Sequence, residues 1–187
     1  MKVVAIGGEP GAGKSTLMKI FIESFKMEPV FDKVKLVPYH KSPEKQYYVL
    51  GKYEEGEVFS GTDRMSMAVQ PEAVKFLASL PKDAVVLFEG DRLFTASFLE
   101  HCVENYETNI IYLSTDKSVR EERYKERGSN QNETWLQGRE TKIANILSNM
   151  TLMFNTEKFS NNDKEERVQT VDRILEIMGE KLSHDIF

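Results

Sequence analysis

"VVAIGGEPGAGKST", Val3 to Thr16, runs four apolar residues straight into a glycine-rich loop that ends on Lys14, Ser15 and Thr16. Gly8, Gly13, Lys14 and Ser15 satisfy the spacing G-x-x-x-x-G-K-[ST]. The apolar run before the loop and the amphipathic run after it place the motif between a strand and a helix, the context its mechanism requires. Glycines let backbone N–H groups turn inward around phosphate oxygens, and the helix N-terminus adds partial positive charge. Gly8, Gly11, Ala12, Gly13, Lys14, Ser15 and Thr16 are therefore the expected phosphate-binding residues, with Lys14 reaching the β and γ phosphates of a nucleotide and Ser15 ligating Mg2+. A plain glycine turn has no need of Lys-Ser-Thr behind it.

Working outward, 187 residues suffice for one well-buried core, so a single domain over 1–187 is expected. A hydrophobic fraction of 40% argues against disorder, and the net charge of −5 argues against a general electrostatic grip on nucleic acid, leaving room only for a local basic patch. One cysteine, Cys102, excludes an internal disulfide and suits a small buried side chain in a cytoplasmic protein. No apolar stretch approaches the length of a membrane span, and the N-terminus has no signal-peptide pattern.

Short β-rich runs alternate with amphipathic helical runs, the pattern of a parallel sheet covered on both faces. Strands are expected at 2–6, 34–37, 84–89, 109–113 and, more weakly, 151–154. Helices are expected at 14–25, from Pro71 onward, and within 94–106, 116–128, 132–150 and 163–182. The segment "KQYYVLGKYEEGEVFSGTDRMSM" breaks this rhythm, with two β-like runs flanking "EEGE", and reads as an inserted hairpin at about 45–70. The expected fold is thus α/β and three-layered, with a five-stranded parallel sheet.

"AVVLFEGDRL" delivers Glu89, Asp91 and Arg92 to a strand's carboxyl end, the edge where open parallel sheets bind ligands. A carboxylate there can hold a metal or take a proton from an attacking hydroxyl, and an arginine can clamp phosphate. "SGTDRMSM" offers a rival base, Asp63, although Gly-Thr-Asp is also ordinary turn chemistry. Arg120, Arg123 and Arg127 share one helix face, with Glu121, Glu122 and Glu126 interleaved, so a solvated face laced by ion pairs is the plainer alternative. Tyr47, Tyr48, Tyr53 and Phe59 cluster beside Lys45 and Lys52, as a base-stacking platform or a packed hairpin face, and Trp135 poses the same choice. The three histidines have no partner at metal-ligand spacing.

"GGEPGAGKST" resembles the Walker A loop of P-loop nucleoside triphosphate enzymes, and size and strand count resemble the nucleotide and small-molecule kinase branch. No Asn-Lys-x-Asp tetrapeptide occurs, as a GTPase would carry, and a second helical ATPase domain has little room. The resemblance implies ATP as donor, Mg2+ held by Ser15 and Asp91, and Glu89 or Asp63 as base toward the acceptor. It also implies a lid at about 120–142 with its tip in "GSNQNE", from which Arg123, Arg127 and Arg139 neutralise the moving phosphoryl group beside Lys14 and Arg92. "VLGKY", "GTDRMSM", "FEGDRL" and "GRETK" together resemble phage-encoded kinases that phosphorylate the hydroxymethyl group of 5-hydroxymethyluracil within DNA, which for a phage gene means the host cytoplasm. A free nucleotide or nucleoside acceptor, and a nucleotide-binding regulator without transfer activity, are the alternatives. Oligomeric state is not legible.

Overall fold

The computed structural model describes residues 1–54, 60–126, 128 and 133–181, with Glu133 and Trp135 described by backbone alone. Along the chain come β1 (Lys2–Gly8), α1 (Lys14–Ser24), β2 (Glu28–Val30), β3 (Tyr39–Lys41), β4 (Tyr47–Leu50), a 3-10 turn at Thr62–Arg64, α2 (Val69–Ser79) and β5 (Val85–Glu89). The second half adds α3 (Ala96–Asn105), β6 (Glu107–Ser114), α4 (Lys117–Glu126), α5 (Glu133–Leu147), α6 (Met150–Met153), β7 (Thr156–Ser160) and α7 (Lys164–Met178).

One sheet runs β2-β3-β4-β5-β1-β6-β7. The stretch from β4 to β7 is wholly parallel, which matches the expected five-stranded core, and β2 and β3 extend it antiparallel at one edge. β1 and β5 lie at its centre, and their near-continuous apolar sequences follow from burial on both faces. On one face α1 contributes Leu17, Met18 and Phe21, and α7 contributes Val171, Ile174, Leu175 and Met178. The other face packs against Val69, Phe76 and Leu77 of α2, Phe98, Leu99 and Cys102 of α3, and Ile146 and Leu152 beyond. No helix among the described residues is long and apolar enough to cross a membrane.

Three expectations are corrected. Residues 34–37 form a turn rather than a strand: Leu36 takes a left-handed φ of 61°, and the Val37 amide donates to the Val34 carbonyl at 3.2 Å. The second parallel strand is instead β4, drawn from the first half of the supposed hairpin; all four of its residues are buried, as a core strand requires. What remains of the hairpin is a bridge between Lys52 and Gly61, and the intervening 55–59, Phe59 included, lie outside the described residues. Residues 151–154 are helical because the Asn149 side chain caps them, accepting from the Thr151 and Leu152 amides at 2.9 and 3.3 Å. The strand follows at β7, whose polar edge sequence "TEKFS" gives little apolar signal.

Candidate phosphoryl-transfer site

β1 ends at the sheet's carboxyl edge, and the loop after it turns into α1 through Gly13, whose φ of 88° and ψ of 13° make a left-handed helix cap. A Cβ on Gly13 would lie 2.3 Å from the Asn161 amide nitrogen, so both conformation and space require glycine. The Lys14 ammonium donates to the Gly8 and Glu9 carbonyls at 2.8 and 3.0 Å, arching over the loop. Burial lowers its pKa, while Glu89, Asp63 and Glu9 act against that shift. Thr16 is half-buried in the first helical turn.

The loop is held from outside by residues that the motif does not contain. Arg123 on α4 donates to the Gly11 carbonyl at 2.9 Å and to the Asn161 and Asn162 carbonyls at 2.8 and 3.1 Å. Tyr124 donates to the Pro10 carbonyl, Asn161 to the Ala12 carbonyl, and Tyr112 to Glu9 at 2.7 Å. Arg120 pairs with Glu140 of α5 at 3.7 Å. The arginine face of α4 is therefore engaged with the loop and with α5 rather than simply solvated. Arg127 lies outside the described residues, as do 129–132 of the expected lid tip.

At the next strand, β5 presents Glu89 beside α1. Its Oε1 accepts the Ser15 hydroxyl and the Tyr53 phenol, each at 3.1 Å. Its exposure is 2%, and burial pushes its pKa up to about 7, with Asp63 adding to the shift and Lys14, Ser15 and Tyr53 opposing it. One residue past the Gly90 turn, the Asp91 amide donates to Asp63 Oδ1 at 2.7 Å, which draws the two candidate acidic segments together. Asp91 itself pairs with Arg139 and accepts from Lys142 at 3.4 Å. Arg92 donates through Nε to the Met65 carbonyl at 3.2 Å, bracing the Asp63 turn.

The structure thus brings Lys14, Ser15, Asp63, Glu89, Asp91 and Arg139 to one edge. It distributes the carboxylates differently from the sequence expectation: Glu89, not Asp91, lies against Ser15, because the last strand residue points at α1 while Asp91 has turned toward α5. Sequence reasoning missed Tyr112, Tyr124 and Asn161. Only Tyr112 had a signal, its position near the carboxyl end of the strand expected at 109–113; Asn161 follows β7, whose sequence did not announce a strand.

A serine hydroxyl beside a carboxylate is an oxygen donor set that suits Mg2+, which takes few protein ligands and completes its shell with water and phosphate oxygens. Among the described residues, no group of three or more His, Cys, Asp and Glu side chains is placed to hold a metal ion.

With this geometry in place, the family follows. The chain belongs to the family described as P-loop Nucleotide Kinase3, whose model matches residues 1–158. It is a P-loop kinase, and hence a phosphotransferase. A gluconokinase from Sinorhizobium meliloti 1021 shares the fold, with a TM-score of 0.50, 14% identity and coverage of 94% of each chain. A shikimate kinase from Bacteroides thetaiotaomicron aligns at a TM-score of 0.43, with 16% identity over 95% of this chain and 98% of that one. No curated protein matches the sequence.

Proposed function

We propose that the protein transfers the γ-phosphoryl group of ATP to a nucleotide-type acceptor, with Mg2+ held through Ser15 and its partner Glu89. The observation that carries this reading is the convergence of Lys14, the Ser15–Glu89 pair and Asp63 on one sheet edge. Lys14 and the loop amides hold the triphosphate, and Mg2+, when bound, neutralises charge on the β and γ oxygens. Glu89 is committed to two hydroxyl donors, whereas Asp63 is fixed by the Asp91 amide through one oxygen and keeps the other for an acceptor. Asp63 is therefore the residue that receives the proton of the attacking hydroxyl, and Arg139 brings positive charge to the same mouth.

For the acceptor, we propose the hydroxymethyl group of 5-hydroxymethyluracil in DNA. Beyond the sequence resemblance, local positive charge supports it: Lys33 and Lys35 are exposed in the segment leading into β3, and Lys52 lies 5.2 Å above the Phe31 ring. A free nucleoside monophosphate is favoured by a different observation, since Arg139 and Lys142 converge on the Asp91 carboxylate in an arrangement that also suits a phosphate. Incubation with γ-labelled ATP and either hydroxymethylated DNA or a panel of monophosphates decides between them. Label confined to free nucleotides removes the DNA acceptor, and undiminished transfer by Lys14→Ala removes the kinase site altogether.

A further inference from the structure

We propose that Tyr53 is a positioning residue: its phenol locks the Glu89 carboxylate that receives the Ser15 hydroxyl, and so tunes the grip of Ser15 on Mg2+. The inference rests on the proposed metal site. Both hydroxyls donate to the same oxygen, Glu89 Oε1, at 3.1 Å, so the carboxylate cannot rotate without losing both bonds. A serine that gives its proton to a carboxylate turns its lone pairs outward, as a metal ligand must, and the group that orients the carboxylate fixes that direction in turn.

Tyr53 is built into place for this contact. Its backbone amide donates to His40 Nε2 at 3.4 Å, and its ring meets the His40 ring edge-on at 5.8 Å. The chain is pinned on one side of Tyr53 by the Lys52–Gly61 bridge, with N–H to O distances of 3.2 and 2.7 Å. A Cβ on Gly61 would stand 2.1 Å from Glu89 Oε1 and 2.9 Å from the Tyr53 hydroxyl, so glycine clears the space in which they meet. Burial holds the phenol protonated, which keeps it a donor. For packing alone, phenylalanine would serve without placing a hydroxyl beside a buried carboxylate.

The test measures affinity for a non-hydrolysable ATP analogue by calorimetry, in Mg2+ and in EDTA, for wild type, Tyr53→Phe, Ser15→Ala and the double variant. Tyr53→Phe is expected to lose about tenfold of the affinity gained from Mg2+, with wild-type affinity in EDTA and a Tm lowered by only about 2–4 °C for the lost buried hydrogen bond. In the Ser15→Ala background the same change should add little, because both act through one carboxylate. Full retention of the Mg2+ gain in Tyr53→Phe overturns the proposal, and so do equal losses in Mg2+ and EDTA, which mark a merely structural role. Lys14→Ala, measured alongside, should weaken binding in both conditions. Wild-type affinity there overturns the phosphate-loop reading independently of Tyr53.

Discussion

Glu89, the last residue of β5, accepts the hydroxyl of Ser15, the second residue of α1, at 3.1 Å across the sheet edge. This bond joins the phosphate loop to the neighbouring strand and gives the buried carboxylate one of its two hydroxyl partners. Replacing either residue by alanine should lower turnover by on the order of 100-fold, and the double variant should lose little more than the worse single one. Steady-state kinetics at saturating ATP measures this. Additive losses would separate the two residues' roles.

The Glu89 carboxyl, pushed up to about 7, gives a pH signature. In the unfolded chain it ionises near its ordinary value of 4.5, so between that value and about 7 the folded state binds more protons. Stability supplied by this group is therefore present at low pH and lost as pH rises through 7. Glu89→Gln, which stays neutral, should gain roughly 1 kcal/mol relative to wild type above pH 7, or about 2–4 °C in Tm for a chain of this size, and much less near pH 5. Activity should fall in the opposite sense, declining as pH drops below about 7, because the carboxylate form accepts from Ser15. Thermal scans and rate profiles across pH check the two signs together.

Arg123 satisfies three backbone carbonyls, those of Gly11, Asn161 and Asn162. Arg123→Ala should cost roughly 2 kcal/mol of stability in urea unfolding, because it removes charge-assisted bonds and leaves partly buried carbonyls without them. ATP affinity should fall as well, since the Gly11 peptide loses its tether. Arg123→Lys is expected to restore little of either, as an ammonium cannot span the same fork.

Asp91 pairs with both Arg139 and Lys142, one negative charge against two positive ones. Asp91→Ala should remove the carboxylate partner of Lys142 while its ammonium keeps the backbone carbonyl of residue 91 at 3.1 Å, so sulfate should raise the variant's Tm by about 2–4 °C more than it raises that of wild type. Equal protection of both proteins would mean that Lys142 does not form an anion site when the carboxylate is gone.

Sequence and structure agree where a single strong signal acts. The loop motif, the apolar β1 and β5, and α7 with its Asp163 cap and left-handed Gly179 all lie where their residues place them. Disagreement arises where a local signal competes with context. "VKLV" has strand-like residues but precedes Pro38 and folds as a turn, while "YYVL", assigned to a hairpin, is buried on every residue within the parallel sheet. Glu89 and Asp91 were candidates because they stand at a strand end, and Asp63 only because it sits in a polar loop. Their partners were not identifiable, because the direction of Glu89 or Asp91 depends on the Gly90 turn and on α5, which lies some fifty residues further along the chain. Tyr53 illustrates the same limit: its ring was visible in the sequence, its bond to Glu89 was not.

The short strand β2, "EPV", ends the sheet with Pro29 at its centre, opposite His40. A three-residue edge strand whose middle residue lacks an N–H offers a poor template for another chain to add a strand. At the far edge, β7 carries Glu157 and Lys158, and Arg173 of α7 folds over Glu157 at 2.8 Å. Both open margins of the sheet are thus guarded against self-association, so the carboxyl edge can stay open to a substrate without the sheet becoming a seed for aggregates.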